Sequence, residues 1–332
     1  MKHKLIQAAK YSVFLGLAAF LFYQAFKNTE FSILVEDFKK ANYSYVILSM
    51  VMGYLAFISR GIRWNYLLEP LGKKAKTWNA IHAITVGYLA NIALPRAGEI
   101  ARCTALRSTD NIPLNRLIGT VALERIIDSL MLLLSIILAV ALEFDKLQAF
   151  FQDAYARNSG DGSGLTLKVA LAGSVLLFGV LLYLFRHRIM NLPGFSKVRE
   201  FWHGFKEGFK SLKMVKNKAA FFGHTLFIWL MYYAMIYVVV FAMDSTSGMD
   251  PSSGLFIMVV GSFGMVIPAP GGIGSYHYLV MLAMGVLGIS QADGVSFATL
   301  VHTGQLIMTV GTGLLATSIV YRERKKLKRN DL

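Results

Sequence analysis

Long apolar runs separated by short polar stretches dominate the chain. The runs cover roughly residues 11–26, 43–59, 78–94, 117–142, 165–185, 219–242, 254–288 and 293–320. A helix that crosses the hydrocarbon core of a bilayer needs about 20 predominantly apolar residues, and most of these runs approach or exceed that length. The pattern therefore predicts an all-α, polytopic integral membrane protein.

The charges that flank the runs predict how they cross the bilayer. Basic residues are concentrated at the N-terminus, in the loops 60–77 and 186–218, and in the C-terminal tail. The loops 143–164 and 244–253 are acidic or neutral instead. Loops rich in Lys and Arg stay in the cytoplasm, so we expect both termini to be cytoplasmic in a bacterial inner-membrane protein.

This topology requires two of the runs to turn back inside the membrane. With the N-terminus inside, segment 78–116 enters and leaves from the cytoplasm, and segment 254–290 enters and leaves from outside. Each is interrupted by helix-breaking residues, in "ALPRAGE" and "IPAPGGIGSYH". The interrupting residues are Pro95, Gly98, Pro268, Pro270, Gly271, Gly272 and Gly274. We expect an inverted repeat with two opposed re-entrant helical hairpins; the alternative is eight full spans.

The expected division of the chain follows from the two hairpins. A first transmembrane repeat would occupy residues 1–142 with its hairpin at 78–116, and the loop 143–164 would be extracytoplasmic. The second repeat, 165–320, would contain the hairpin 254–290 and precede a basic cytoplasmic tail at 321–332. Phe and Leu recur every three or four residues in 186–218, which predicts an amphipathic connector. That connector would lie on the cytoplasmic leaflet or pack on the protein's own cytoplasmic face.

Composition narrows the possible chemistry. Hydrophobic residues make up 55% of the 332 residues and charged residues only 16%, with a formal net charge of +15. The basic residues lie in loops and the tail without a nucleic-acid-binding motif, so we expect contact with lipid headgroups and no nucleic acid. The single Cys excludes an intrachain disulfide, and no metal-binding or enzymatic motif is present. We expect no metal, no cofactor and no catalysis.

The first interruption carries the most distinctive charges. Arg96, Glu99 and Arg102 surround the break, and a helix that starts near Ala97 would direct its free N–H groups to the same place. Two guanidinium groups beside a helix N-terminus are suited to bind phosphate, with Glu99 holding an arginine or relaying a proton. The alternative is an interfacial turn whose charges reach water.

Two further groups of polar residues lie inside apolar runs. Glu124 and Asp128 are four residues apart on one helical face, and Arg125 reaches Asp128 at i+3. They either organise a polar cavity or form an internal salt bridge without a transport role. His277 follows the second interruption, and His302 lies in an otherwise apolar helix, where it either takes part in function or is a hydrogen-bonded packing residue.

The stretches "GYLANIALPRAGEIAR", "ALERIID" and "IPAPGGIGSYH" resemble the lysylphosphatidylglycerol synthase transmembrane-region family, also called flippase-like or UPF0104 proteins. The resemblance covers about residues 10–322 and implies the lipid-translocating part of these proteins without the aminoacyl-transferase domain. It places Asn91 in the first signature with the residues of the first interruption. Many relatives carry an acidic residue shortly after the second interruption, where this chain has His277.

The pattern and the resemblance together predict a flippase or scramblase for an anionic or aminoacylated phospholipid, or for a polyprenyl-phosphate lipid. The predicted substrate-binding residues are Asn91, Arg96, Glu99, Arg102, Glu124, Arg125, Asp128, His277 and His302. Two alternatives from other classes remain: the membrane subunit of a lipid-modifying system, working with a cytosolic enzyme, or a scaffold that recruits a cytosolic partner. A transporter of small solutes or ions is a fourth possibility.

Overall fold

The structure, a computed structural model, describes residues 2–72, 74–94, 97–149, 152, 215–267 and 269–330. These residues form α-helices joined by short turns and 3₁₀ segments. The helices are α1 Lys2–Phe26, α2 Phe31–Lys40, α3 Tyr43–Leu68, α4 Thr77–Ala93, α5 Gly98–Asp110, α6 Leu114–Leu142, α7 Lys218–Tyr237, α8 Pro251–Val266, α9 Ser275–Val286 and α10 Gln291–Asn330. The all-α prediction is confirmed for this part of the chain.

Four helical stretches in the described residues are long and apolar enough to cross a membrane. They are Tyr43–Leu68, Leu114–Leu142, Lys218–Ala242 and Gln291–Leu327. Phe14–Phe26 and Pro251–Val266 are apolar but shorter. The predicted segment 165–185 and most of the connector 186–218 lie outside the described residues.

Local sequence explains where several helices begin. Asn42 and Asn217 cap α3 and α7, because their side-chain oxygens accept hydrogen bonds from the backbone N–H groups of Ser44 and Ala220. Pro251 opens α8, where its missing N–H costs nothing. These capping and proline residues define the first residue of a helix more precisely than the hydrophobic pattern does.

Two sequence-based boundaries were wrong. The segment predicted to end at residue 59 continues as α3 to Leu68, so Arg60 and Arg63 lie in a helix and are buried rather than in a cytoplasmic loop. The error arises because hydropathy counts an arginine as a loop residue even where carboxylates of another helix neutralise it. The stretch between the first two predicted segments contains the amphipathic helix α2, which buries Leu34.

Both predicted interruptions are breaks between packed helices. Leu94 leaves α4 in an extended conformation and α5 starts at Gly98, while a short 3₁₀ turn at Pro270–Gly272 separates α8 from α9. Gly274 has a φ of 84°, which an L side chain rarely adopts. A Cβ added there would lie 2.3 Å from the Ala18 carbonyl oxygen. Glycine at this position therefore lets the backbone of α1 pack directly against the backbone of the second break.

The chain forms two compact units, Met1–Leu142 with Val215–Leu332, and Glu143–Met214. In the second unit, a described helical stretch after Glu143 carries an ion pair of 3.0 Å between Lys146 and Glu143. All the helices α1–α10 belong to the first unit. Its centre is formed by α3, which packs against α4, α7 and α10.

Candidate functional site: a buried arginine–carboxylate cluster

The centre of the site is the Glu124 carboxylate, which is fully buried on α6. Its Oε1 accepts hydrogen bonds from Arg60 Nε at 3.1 Å and from Arg63 Nη2 at 2.9 Å, both on α3. Its Oε2 accepts from Arg102 Nη1 of α5 at 2.8 Å. One carboxylate thus joins three helices, and removal of one partner from such a buried ion cluster is strongly destabilising.

Asp128 completes the cluster one helical turn further along α6. It accepts from Arg63 Nη2 at 3.0 Å and pairs with Arg60 Nη2. Arg125, on the same helix, lies 3.4 Å from Asp128, as the i+3 spacing predicted. Its side chain is about half exposed. The spacing of four residues between Glu124 and Asp128 places both carboxylates on the side of α6 that faces α3.

Neutral side chains accept hydrogen bonds from several of the guanidinium N–H groups that the carboxylates do not use. Arg60 Nη1 donates to the hydroxyls of Tyr88 on α4 and Tyr232 on α7, each at 2.7 Å. Arg63 Nη1 donates to Thr225 Oγ1 at 3.1 Å. The Arg102 guanidinium lies 4.9 Å from the centre of the Trp64 ring, in cation–π contact. The cluster is therefore held by five helices rather than by one ion pair.

The buried cluster carries more positive than negative charge. Arg60, Arg63 and Arg102 are all nearly inaccessible, and the carboxylates they pair with among the described residues are Glu124 and Asp128. Arg102 Nη2 and Arg63 Nε are buried without a hydrogen-bond partner among the described residues. Because an uncompensated buried charge is costly, this excess is a physical reason to expect an anion at the cluster.

The first break lies next to the cluster and is closed by Asn91. Its Oδ1 accepts a hydrogen bond of 2.7 Å from the Gly98 backbone N–H, which is the first N–H of α5. A Cβ on Gly98 would lie 2.3 Å from the Gly87 carbonyl oxygen, so only glycine allows α4 and α5 to pack this closely. Asn91 therefore has a structural contact as well as its predicted place in the substrate site.

The predicted site residues separate into two groups. Arg102, Glu124, Arg125 and Asp128 come together in the cluster, and His277 and His302 meet at the second break, with ring centres 4.8 Å apart. Glu99 is partly buried in the first turn of α5. Pro95, Arg96 and Pro268 lie outside the described residues, so the phosphate clamp formed by Arg96 and Arg102 stays a prediction.

Sequence reasoning missed Arg60, Arg63, Tyr88 and Tyr232. The first two were interpreted as topology signals because they follow an apolar run. One signal was available: in "SRGIRWNY" the two arginines are spaced i, i+3, next to Trp64 and among other aromatic residues. This spacing places them on one face of a helix. A pair of arginines on one helical face complements a Glu and an Asp at i, i+4 on another helix. The two tyrosines, which lie in apolar helices, gave no comparable signal.

Comparison with known proteins identifies the family. The model of the lysylphosphatidylglycerol synthase TM region matches residues 7–313. The chain belongs to this family. The match spans α3–α9 and most of α10, so the arginine–carboxylate cluster and both breaks lie within the family domain.

Two curated proteins are similar in sequence to this chain. The UPF0104 membrane protein MJ1595 of Methanocaldococcus jannaschii is 21% identical over 320 residues, which is 86% of this chain and 88% of that protein. Glycosyltransferase AglD of Haloferax volcanii is 26% identical over 305 residues, or 82% of this chain. The alignment spans about half of AglD, 48% of its length. The resemblance inferred from the motifs is thus confirmed, and the chain is a multi-pass membrane protein of this family.

Proposed function

We propose that this member of the lysylphosphatidylglycerol synthase TM region family translocates a phosphate-bearing lipid across the membrane, without catalysing a reaction itself. The observation that carries the proposal is the surplus of buried guanidinium over carboxylate, with Arg102 Nη2 unpartnered among the described residues. Guanidinium binds phosphate oxygens through paired hydrogen bonds. A phosphate at Arg102 would neutralise the surplus while the lipid chains stay in the bilayer.

The proposed architecture is an inverted repeat in the inner membrane, with both termini cytoplasmic. The helix order supports it, since α3, the broken pair α4–α5 and α6 are followed by α7, the broken pair α8–α9 and α10. Contacts recur in the same order: α4 packs on α5 and α10, while α8 packs on α9 and α6. The breaks also approach each other, because a Cβ on Gly271 would lie 3.6 Å from Ile92 Cγ2. This arrangement is typical of transporters with a site near the midplane.

The proposal predicts that Arg102→Gln lowers the rate of lipid translocation by at least about tenfold, because one charge-assisted contact with phosphate is worth about 1.5–3 kcal/mol. The rate is measured in proteoliposomes with acyl-labelled phosphatidylglycerol and dithionite quenching. Arg107→Gln is the matched control, since Arg107 is exposed on the same helix. A folded Arg102→Gln protein that transports at the wild-type rate would contradict the proposal.

The proposed topology predicts which cysteine variants an impermeant maleimide reaches in intact cells. Both positions are exposed. Because the proposed topology puts them on opposite sides of the membrane, Asp244→Cys should react from outside, whereas Lys74→Cys should react only after permeabilisation. The native Cys103 is fully buried and supplies the unreactive background. Labelling of both positions from the same side would exclude the inverted arrangement.

A second candidate function is that of the membrane subunit in a lipid glycosylation system. The similarity to Glycosyltransferase AglD favours it, since the aligned region is part of a protein with that name. A partner enzyme would then be required for turnover. If lipid translocation fails with the purified protein but glycosylated lipid forms when a cytosolic fraction and an activated sugar are added, this second function is favoured.

A further inference from the structure

The second break carries a cluster of polar side chains that take no part in the arginine–carboxylate cluster. Tyr276 and His277 of α9 and His302 of α10 are each at least 96% buried. The His302 ring centre lies 4.8 Å from that of His277 and 5.2 Å from that of Tyr276. Gln305 follows one turn after His302 on α10. We call Tyr276, His277, His302 and Gln305 the second-break cluster.

His302 is fixed in place, but its neighbours have unused hydrogen-bonding groups. His302 Nε2 lies 2.8 Å from the Gly271 carbonyl oxygen, which can only accept, so this nitrogen carries the proton. Tyr276 Oη, His277 Nδ1 and Gln305 Nε2 are buried with no partner among the described residues. Two unsatisfied polar groups next to His302, and a third one turn along α10, are unusual in a folded protein, where buried polar groups are generally paired. Their arrangement indicates a polar ligand.

The chemistry of this cluster suits a neutral ligand. A phenol, an imidazole and a carboxamide both donate and accept hydrogen bonds, as hydroxyl groups do. The described neighbours of His277 on α1 are the rings of Phe22 and Phe26, with centres 6.1 and 5.8 Å away. A cationic group would instead require a carboxylate to offset its desolvation.

The buried carboxylates of the first cluster do not meet that requirement. Glu124 accepts hydrogen bonds from three arginines and Asp128 pairs with Arg60, Arg63 and Arg125. Glu99, partly buried at the start of α5, is the carboxylate nearest in sequence to the first break. It lies beside Arg102 on a helix whose first turn already favours anions.

The two clusters are close along α4. Tyr88 accepts a hydrogen bond from Arg60 in the first cluster. Ile92, one turn later, lies next to the second break, where a Cβ on Gly271 would be 3.6 Å from its Cγ2. One turn of helix advances about 6 Å over four residues. α4 therefore connects the arginine–carboxylate cluster to the second break over about one helical turn.

From this juxtaposition we infer that the translocated lipid carries an uncharged, hydroxyl-bearing group on its phosphate and is not aminoacylated. The inference rests on the proposed function and narrows its substrate. Glycerol and sugar headgroups share this chemistry, on a diacyl lipid or on a polyprenyl chain. An aminoacylated headgroup would add a cation beside a cluster that already has surplus positive charge.

The test compares translocation of four acyl- or chain-labelled lipids by the full-length protein in proteoliposomes: phosphatidylglycerol, lysylphosphatidylglycerol, phosphatidate and a polyprenyl-phosphate hexose. We expect phosphatidylglycerol or the hexose lipid to move at least about fivefold faster than phosphatidate, because the hydroxyls add hydrogen bonds. Lysylphosphatidylglycerol should move no faster than in protein-free vesicles. Which of the two hydroxyl-bearing lipids moves identifies the source of the headgroup.

The possible failures are distinguishable. If lysylphosphatidylglycerol moves as fast as phosphatidylglycerol, the inference is overturned and lipid translocation stands. If Glu99→Gln then abolishes movement of the lysyl lipid, Glu99 is the group that binds the cation. If the protein accelerates none of the four lipids, both the inference and the proposed function are overturned.

Tyr276→Phe tests the second-break cluster without a large change in shape. The substitution removes only a hydroxyl that has no partner among the described residues, so the thermal midpoint should not fall. The preference for the hydroxyl-bearing lipid over phosphatidate should fall by about fivefold. Tyr321→Phe, at an exposed position of α10, is the control. An unchanged preference in both Tyr276→Phe and Gln305→Leu would overturn the inference.

Discussion

Replacing Glu124 with glutamine should lower the free energy of unfolding by about 3–5 kcal/mol, the usual cost of removing one partner from a buried ion cluster. Glu124 is fully buried and accepts hydrogen bonds from Arg60, Arg63 and Arg102, so the neutral amide leaves three guanidinium groups with reduced compensation. Denaturant titration of the purified protein in detergent micelles measures the effect. We expect the largest loss of stability here because this side chain joins three helices.

The control for this prediction is Glu36→Gln. Glu36 also pairs with a basic residue, Lys40, but both side chains are mostly exposed, and such pairs contribute little. Its unfolding curve should overlay that of the wild type. If Glu124→Gln also unfolds like the wild type, the cluster does not stabilise the fold, and the argument from surplus buried charge loses its basis.

Gly98→Ala should produce the second large effect, a loss of about 1–3 kcal/mol or more in unfolding free energy. The added Cβ would lie 2.3 Å from the Gly87 carbonyl oxygen and 2.5 Å from Asn91 Nδ2, so α4 and α5 must separate. Separation would also disturb the hydrogen bond that closes the first break and move Arg102 relative to Glu124. We therefore expect lipid translocation to fall together with stability.

Gly119→Ala distinguishes this crowding from the general effect of adding a methyl group. Gly119 lies inside α6, and an added Cβ there meets no atom within 4 Å. Alanine has the higher helix propensity, so this variant should gain about 0.5–1 kcal/mol. Equal destabilisation by Gly98→Ala and Gly119→Ala would show that the close packing of α4 on α5 is not what Gly98 provides.

The hydrophobic pattern together with proline and glycine was sufficient to predict most of the long apolar helices and the two interruptions. The breaks at 94–97 and 267–274 follow from proline and glycine inside apolar runs, because these residues cannot continue a helix without loss of hydrogen bonds or order. Glu124, Arg125 and Asp128 were also identifiable, since their spacing in a single helix fixes which side chains share a face. Such features depend only on nearby residues.

The hydrophobic pattern failed where a residue's environment comes from another helix. Arg60 and Arg63 were interpreted as loop residues, yet Glu124 and Asp128, more than 60 positions away, neutralise them and let α3 continue to Leu68. Tyr88 and Tyr232 became part of the cluster only through the packing of α4 and α7 around α3.

The sequence by itself determined that the chain is an all-helical membrane protein with two interrupted segments and which charges lie near them. Only the tertiary structure decided that three buried arginines meet two carboxylates. It also decided that Tyr276, His277 and Gln305 have polar atoms beside the second break without a partner in the described part of the chain. The physical reason is that helix formation depends on local order and hydropathy, whereas charge compensation and hydrogen-bond satisfaction depend on residues far apart in the chain.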